Sequence, residues 1–443
     1  MLRLKKMKIQ PVKGTRDFYP EQMTVRNFII DGWKKVSIRN GFEEFDSPIL
    51  EHLQMFTLKS GDEIVEQLFS LKDRGGRDLA LIPEMTPSLA RMVNQRINSL
   101  PKPIKWFCVP RLFRAERPQK GRLREFFQWN IDIIGEESVL ADAEIIFTTL
   151  DYLMDVGLTP KDITVKISSR KLLAAVLREA NFSEQDLPAM YLLLDKKDKL
   201  PQETFRELLK EKVADSKKEE KIINFLEIEH LSRIEENVSE IKEAKDELLE
   251  HQRVLNGMGV AEFCRFDPAI VRGLAYYTGI VFEVHALNSE LRAICGGGRY
   301  DNLLKDFGGP DVPAVGMGFG DCVLEILLRE KGLLDTLIKK KLHQLSLDYF
   351  IVCIPSGEAD FDDEKENAAV KLAAQLRRKG FKADFSYKIQ GLSKQLKEAS
   401  SRNAKSCIIF ADEFKKGDII IKDMATGNQK ILSIDKFLSD LKS

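Results

Sequence analysis

Apolar positions in the first third of the chain switch between two periods. Residues 26–38 (RNFIIDGWKKVSI) repeat them at helical spacing, and Gly41 closes that helix. Residues 42–48 then read as an extended segment ending at Pro48. Phe107-Cys-Val-Pro and residues 126–134 (FFQWNIDII) carry the aromatic and β-branched residues of buried strands, and residues 142–156 return to an amphipathic helix. From about Ser169 to Gly257 the pattern is almost wholly helical. Leu172, Leu173, Val176 and Leu177, then Ile222, Ile223 and Leu226, recur three and four apart between Lys/Glu-rich faces. The run Lys217-Lys-Glu-Glu-Lys is expected to be a solvated helix face. Strand texture returns at residues 260–266, 280–284 and 314–319.

A helical module inserted between two parts of one mixed sheet accounts for this order better than three independent domains. A lysine-rich connector at Lys339-Lys-Lys leads into a last unit from about Leu347. There the pattern predicts strand (YFIVCIP), helix (364–379), strand (FKADFSY), helix (392–401) and strand (CIIFAD). A hairpin (DIIIKDMATGNQKIL) with a turn centred on Asn-Gln and a short helix finish it, an α/β arrangement. The 443 residues fit two to four domains, and 43% hydrophobic with 31% charged residues supply a core. Lys+Arg and Asp+Glu both number 69, which excludes attachment to nucleic acid by bulk charge and leaves a local basic face open. Six scattered cysteines without a CxxC pair point to a reduced, cytosolic chain. The five histidines form no HxxxH or HxH pattern, so no histidine-based metal site is expected. No apolar run approaches the ~18 residues of a membrane span. The basic first residues are followed by no apolar signal region, and Asp17 and Glu21 come early, so export is not expected.

Four segments carry candidate chemistry. The stretch RLFRAERPQKGRLREFFQWNID, from Arg111, alternates arginines with a Pro/Gly-containing loop between strand-like flanks. A hairpin walled by guanidinium groups suits a polyphosphate, because the planar fork meets phosphate oxygens two at a time; a surface hairpin with solvated arginines fits equally. Val271-Arg-Gly-Leu-Ala-Tyr-Tyr-Thr-Gly sets an arginine beside two tyrosines, either a pocket for a planar polar ring or core packing. Cys295-Gly-Gly-Gly-Arg-Tyr-Asp reads as three glycines opening a helix whose start favours anions, or as a turn. Val315-Gly-Met-Gly-Phe-Gly-Asp reads as a glycine-interrupted strand before a helix over 322–330. Its glycines admit a flat ligand or mark a bulge or close strand packing.

In this order the segments resemble the histidyl-tRNA synthetase family of the class II aminoacyl-tRNA synthetases. The resemblance begins at Val12-Lys-Gly-Thr-Arg-Asp-Phe and passes through Pro83-Glu-Met-Thr and Phe113-Arg-Ala-Glu-Arg-Pro-Gln-Lys-Gly-Arg. It then takes in Arg272-Gly-Leu-Ala-Tyr-Tyr and Gly296-Gly-Gly-Arg-Tyr-Asp and ends in a C-terminal domain of anticodon-binding type. It implies an α+β fold with an antiparallel catalytic sheet and surrounding helices in residues 1–168 and 258–335. A helical insertion at 169–257 and an α/β anticodon-binding domain at 345–443 complete that expectation. A cytoplasmic homodimer formed partly around Pro48 is also implied.

The implied activity is ATP-dependent ligation of L-histidine to tRNA(His) through a histidyl-adenylate, with Mg²⁺ accompanying ATP and no metal site built by the protein. Arg114 matches the hairpin arginine at the ATP α-phosphate, and Arg272 an arginine by the reacting carboxylate; these are the candidate catalytic residues. Glu84, Met85 and Thr86 match the loop that recognises the α-amino group, and Gln128 and Asp132 match histidine-contacting positions. Tyr276 and Tyr277 match the side-chain pocket, with Glu116 and Arg122 on the ATP-facing side of the hairpin.

The chain departs from the family at three positions. Cys322 stands where a motif 3 arginine usually touches ATP, Ile82 where an arginine commonly precedes Pro83, and Ala275 where an aspartate commonly precedes the tyrosines. Losing a phosphate-binding arginine removes transition-state stabilisation unless another cation substitutes. A catalytically inactive histidine sensor, or a regulatory subunit of histidine biosynthesis, is the competing reading. Such a chain is expected to lack the C-terminal domain and to erode the Arg114 and Arg272 motifs, all of which are kept here.

Overall fold

The structure, a computed structural model, describes residues 9–57, 67–197, 200–213, 215–272, 276–338, 346–388 and 390–441. Two units divide at Leu337 and Ile338. In the first, β1 (Glu43–Glu44) precedes a small antiparallel sheet of β2 (Leu50–His52), β3 (Ser70–Lys72) and β4 (Asp78–Leu81), ordered β2–β4–β3. The strands that follow are β5 (Ile104–Cys108), β6 (Arg111–Phe113), β7 (Glu125–Ile134), β8 (Ile163–Ser169) and β9 (Cys264–Phe266). Then come β10 (Ile280–Ala286), β11 (Cys295–Arg299) and β12 (Ala314–Gly320). The main sheet runs β1–β5–β7–β12–β11–β10–β8–β9, with β6 paired to β7 beside it. Its six inner strands pair antiparallel, and only the outermost pairs, β1–β5 and β8–β9, are parallel.

Alternation along β7 determines which face is core. Trp129, Ile131 and Ile133 are fully buried behind the sheet, where the Trp129 ring lies 6.1 Å from Trp33 and 6.0 Å from Phe319. Trp33 comes from the helix Pro20–Arg39, and the Trp129 indole donates to Ser37 Oγ of the same helix at 2.8 Å. The helix Val139–Asp155 covers this face too, its N-terminal Ser138 accepting from the Leu140 N–H. The opposite face of β7 carries Phe126, Gln128, Asn130 and Asp132, a polar sequence that a core would reject. Between β8 and β9 the chain forms helices Arg170–Glu179, Leu187–Leu194, Gln202–Val213, Ser216–Leu226 and Ser239–Gly257. Their apolar stripes, such as Leu172, Leu173, Val176 and Leu177, are buried.

The second unit is a five-stranded sheet of β13 (Tyr349–Cys353), β14 (Ala383–Phe385), β15 (Ser406–Phe410), β16 (Asp418–Asp423) and β17 (Gln429–Ser433). The order is β14–β13–β15–β16–β17, parallel among the first three and antiparallel through the last three. The helix Ala359–Arg378 packs Leu372 and Leu376 against Ile351 and Ile408 on one face. Ala399, from the helix Leu392–Ser401, meets Phe350 and Ile409 on the other.

Several sequence expectations are corrected. The Cys295 glycine triplet opens no helix: it is the inner strand β11, hydrogen-bonded on both sides. Residues 260–266 are strand only at Cys264–Phe266, after a 3₁₀ turn at Ala261–Phe263, and of the segment 42–48 only Glu43 and Glu44 pair. The last hairpin does not turn on Asn-Gln. Gln429 already pairs with Lys422, and the turn uses Gly427 at φ +77° with Asp423 capping the Thr426 N–H. Strand β8 was not anticipated, and the Lys339 connector and the first eight residues lie outside the described residues.

The triplet fits a strand because a Cβ at Gly297 would stand 2.7 Å from Met317 Cβ and collide with the Gly316 carbonyl. Gly297→Ala should therefore destabilise the first unit by about 2 kcal/mol or more in thermal or urea unfolding. Gly257→Ala, in a helix with no atom within 4 Å of the added methyl, should stabilise by about 0.5–1 kcal/mol. Equal effects would contradict this packing account.

Candidate active site

The polar face of the sheet floors a cavity of about 680 Å³. Register builds the floor in rows. One row runs Asn130, Gly318, Gly296, Glu283 and Lys166 across five strands, and the next runs Asp132, Gly316, Gly298 and Val281. Glycines occupy the middle of both rows, and the space they leave is filled by side chains from elsewhere. A Cβ at Gly318 would stand 2.9 Å from the Gln128 amide, and one at Gly316 would strike Asp132. A Cβ at Gly296 would stand 2.7 Å from the Arg272 guanidinium, and one at Gly298 3.0 Å from the Tyr277 ring.

Two carboxylates sit in this cavity with phenols against them. Asp132, buried, accepts from Tyr300 Oη at 2.5 Å, and Glu84, also buried, accepts from Tyr276 Oη at 3.0 Å. Burial pushes Asp132 up to about 7, only partly opposed by the Tyr300 hydrogen bond. Burial, then the neighbouring Glu84, likewise raises the Tyr276 phenol well above its ordinary value, so it stays a donor. The Tyr276 and Tyr277 rings lie 5.1 Å apart, and Tyr276 meets Tyr300 edge-on at 5.9 Å, a three-ring wall beside the two acids. Thr86 starts the helix Thr86–Arg96 next to Glu84 and lines the cavity.

Positive charge comes from two directions. Arg114 leaves β6, donates from Nε to the Pro83 carbonyl at 3.0 Å and stacks its guanidinium 5.2 Å from the Phe126 ring centroid. Arg122 and Glu116 form an ion pair within the same hairpin. Arg272 pairs with Glu283 at 2.5 Å. Burial works most strongly against the Arg272 charge, but Glu283 and Tyr277 together raise its pKa; burial likewise raises Glu283, and Arg272 with His285 together lower it to about 2. Arg272 adopts φ +63°, a left-handed conformation that costs a non-glycine residue about 1–3 kcal/mol and that the Glu283 ion pair helps to hold.

All the sequence-predicted site residues line this cavity except Met85. Met85 is buried in a separate apolar cluster with Met55, Phe56 and Ile82, so its expected contact with histidine is corrected to packing. Ile82 packs in that cluster too, and Ala275 lies outside the described residues. Cys322 borders the cavity near the start of the helix Asp321–Glu330, its Sγ 3.3 Å from Asp321 Oδ1. Burial, then Asp321, raises its thiol pKa, so it stays neutral. Sequence reasoning missed Tyr300 and Glu283. Tyr300 was legible as the tyrosine after the glycine triplet, two positions on from Gly298 on the same face; Glu283 carried no signal beyond a carboxylate in an apolar strand. Arg299, one residue before Tyr300, faces the other way and pins β11 to Asp142, its Nε 3.1 Å from both carboxylate oxygens.

No group of three or more His, Cys, Asp or Glu among the described residues could hold a metal ion. Nor is any described helix long and apolar enough to cross a membrane.

Comparisons with known proteins show the family of the chain. The family model described as histidyl-tRNA synthetase matches residues 14–320, and an anticodon binding domain model matches 348–443. The chloroplastic/mitochondrial histidine–tRNA ligase of Arabidopsis thaliana is 38% identical over 426 residues, spanning 96% of this chain and 85% of that protein. The histidine–tRNA ligase of Pyrococcus horikoshii is 36% identical over 444 residues, spanning 98% and 99% of the two chains. The crystal structure of histidyl-tRNA synthetase from Nostoc superposes with a TM-score of 0.77 at 23% identity, over 98% of this chain and 99% of that one.

The Asp132 environment makes a pH prediction. Its folded pKa of about 7 exceeds the ordinary 3.8, so the empty fold holds this proton more tightly than the unfolded chain does. Its contribution to stability is complete below about 4 and is lost as pH rises through about 7, with a limiting slope of roughly 1.4 kcal/mol per unit. Without ligands, Asp132→Asn should therefore gain melting temperature relative to the parent between pH 5 and pH 8.5. Parallel melting curves across that range would show that Asp132 is not a buried, protonated group.

Proposed function

The chain belongs to the histidyl-tRNA synthetase family, and we infer from this premise that it ligates L-histidine to tRNA(His) with ATP as the energy source. It is an aminoacyl-tRNA synthetase of class II. The observation that carries the residue-level reading is the convergence of Asp132, Glu84 and their phenol partners with Arg114 and Arg272 on one cavity.

We propose that the α-ammonium of histidine binds Glu84, with Thr86 and Gln128 completing its donors' partners. A carboxylate held in place by Tyr276 accepts charged hydrogen bonds without reorganising. The imidazole lies toward Asp132 and Tyr277. A carboxyl group titrating near 7 and a phenol that stays protonated together offer one acceptor and one donor, matching the two ring nitrogens of a neutral imidazole. Tyr300 orients Asp132 from behind.

The histidine carboxylate is ionised at neutral pH and needs no general base. Its oxygen forms a bond to the α-phosphorus as the α–β phosphoanhydride bond breaks, and pyrophosphate leaves with that electron pair. What the protein contributes is alignment and fixed positive charge: Arg114 from the hairpin and Arg272 from across the sheet, the latter held by Glu283. Mg²⁺ enters bound to the ATP phosphates, where it neutralises charge. The cavity carboxylates Glu116 and Glu283 are each paired with an arginine, which fits an ion carried in by ATP rather than one caged by the protein. The adenylate is then opened by a terminal ribose hydroxyl of tRNA, whose anticodon is read by the C-terminal unit.

We further propose a cytoplasmic homodimer. Its support is a patch of exposed apolar side chains beside Pro48: Ile49 and Leu50, with Leu71 on the same small sheet. The six unpaired cysteines, all buried but the half-buried Cys264, suit a reducing compartment.

The test is ATP–pyrophosphate exchange with and without histidine, followed by charging of tRNA(His). Histidine-dependent exchange is expected in the parent protein. Arg272→Ala should lower it by about 10²–10³-fold, since one fixed charge at a developing anion is worth about 2.7–4 kcal/mol. Absence of histidine-dependent exchange in the parent protein would overturn the reading.

A further inference from the structure

We propose that Arg292, in the loop joining β10 to β11, binds the ATP polyphosphate in place of the cation that Cys322 does not supply; this rests on the synthetase reading above. Arg292 belongs to no motif singled out in the sequence, yet it lines the same cavity as Cys322, Arg114 and Phe126. The pairing of β11 with β12 ends at Cys295 and Phe319. Arg292 lies in the connection three residues before β11, and Cys322 in the first turn of the helix Asp321–Glu330 that follows β12, so both leave the same end of this strand pair.

On β7, Phe126 is the next cavity-facing position beyond Gln128, which pairs with Gly320. Phe126, Cys322 and Arg292 all line the cavity together with Arg114, which stacks on the Phe126 ring. A guanidinium in the loop before β11 therefore lines the same cavity as position 322.

The other cations near these residues are committed. Arg122 is paired with Glu116 and Arg272 with Glu283. Arg16, the cation closest in charge interaction to Cys322, is bound to Asp321 at 2.7 Å and does not line the cavity. Arg292 is exposed and has no hydrogen-bond or ion-pair partner among the described residues. Its planar fork can donate to phosphate oxygens, and Ser289 Oγ, accepting from the Leu291 N–H at 3.2 Å, shapes the loop that presents it.

The test is a charge series at Arg292 in ATP–pyrophosphate exchange without tRNA. Arg292→Ala is expected to raise the KM for ATP about tenfold or more, the loss of one charged hydrogen-bonding group, and Arg292→Glu to raise it further. The KM for histidine should stay within about twofold, and because Arg292 is exposed and unpartnered, melting temperatures should match the parent. An unchanged KM for ATP in a parent protein that does exchange pyrophosphate overturns this assignment and leaves the synthetase reading standing. So does a loss confined to tRNA charging, which would place a tRNA phosphate at Arg292 instead. A parent protein without exchange removes both.

Discussion

A methyl group at Gly296, Gly316 or Gly318 would occupy the space that now holds Arg272, Asp132 or Gln128. That steric constraint, placed on two adjacent inner strands, organises the first unit. Sheets ordinarily present a side chain every second residue, so a flat polar ligand has nowhere to lie. Here the central strands give up their side chains on one face, and groups from β7, from the segment before β10 and from the loop before the helix Thr86–Arg96 fill the margins. The other face bears the stability, through the Trp33, Trp129, Tyr152 and Phe319 cluster, where aromatic burial is worth several kcal/mol per residue.

Charge in the cavity follows the same division. Glu84 and Asp132 each accept a hydrogen bond from a neutral phenol, which orients the carboxyl group without placing a countercharge on it. Arg272 differs in being paired with the Glu283 carboxylate, which keeps its half-buried guanidinium charged and aimed while limiting the field it projects. Acidic and basic side chains around the cavity are nearly balanced in number, so the placement of each charge, rather than an excess of either sign, distinguishes its parts.

Much of this was legible in the sequence, for identifiable reasons. The alternation in FFQWNIDII names both the core and the cavity face, and the strand forms as read. The hairpin arginines and tyrosine pair were found because their chemistry is unusual for a core. The glycine triplet was misread because a glycine run signals local flexibility, whereas its function here is a long-range one: room for Arg272 and Tyr277, which come from more than fifteen residues upstream. Met85 was misplaced for a related reason. Adjacency to Glu84 and Thr86 says nothing of direction, and at the start of a helix one side chain can face the cavity while the next enters the core. Tyr300 and Arg299 diverge in the same way along β11.

The claim that glycine makes room for specific site residues is tested most directly at Gly318, where the atoms nearest an added methyl belong to the flexible Gln128 amide, 2.9 Å away. Histidine binding by calorimetry should be compared for Gly318→Ala, Gln128→Ala and the double variant. The account predicts folded proteins with near-parental melting temperatures, a loss of about tenfold or more in histidine affinity for each single change, and no further loss on combining them. Parental affinity in Gly318→Ala, or losses that simply add, would contradict it.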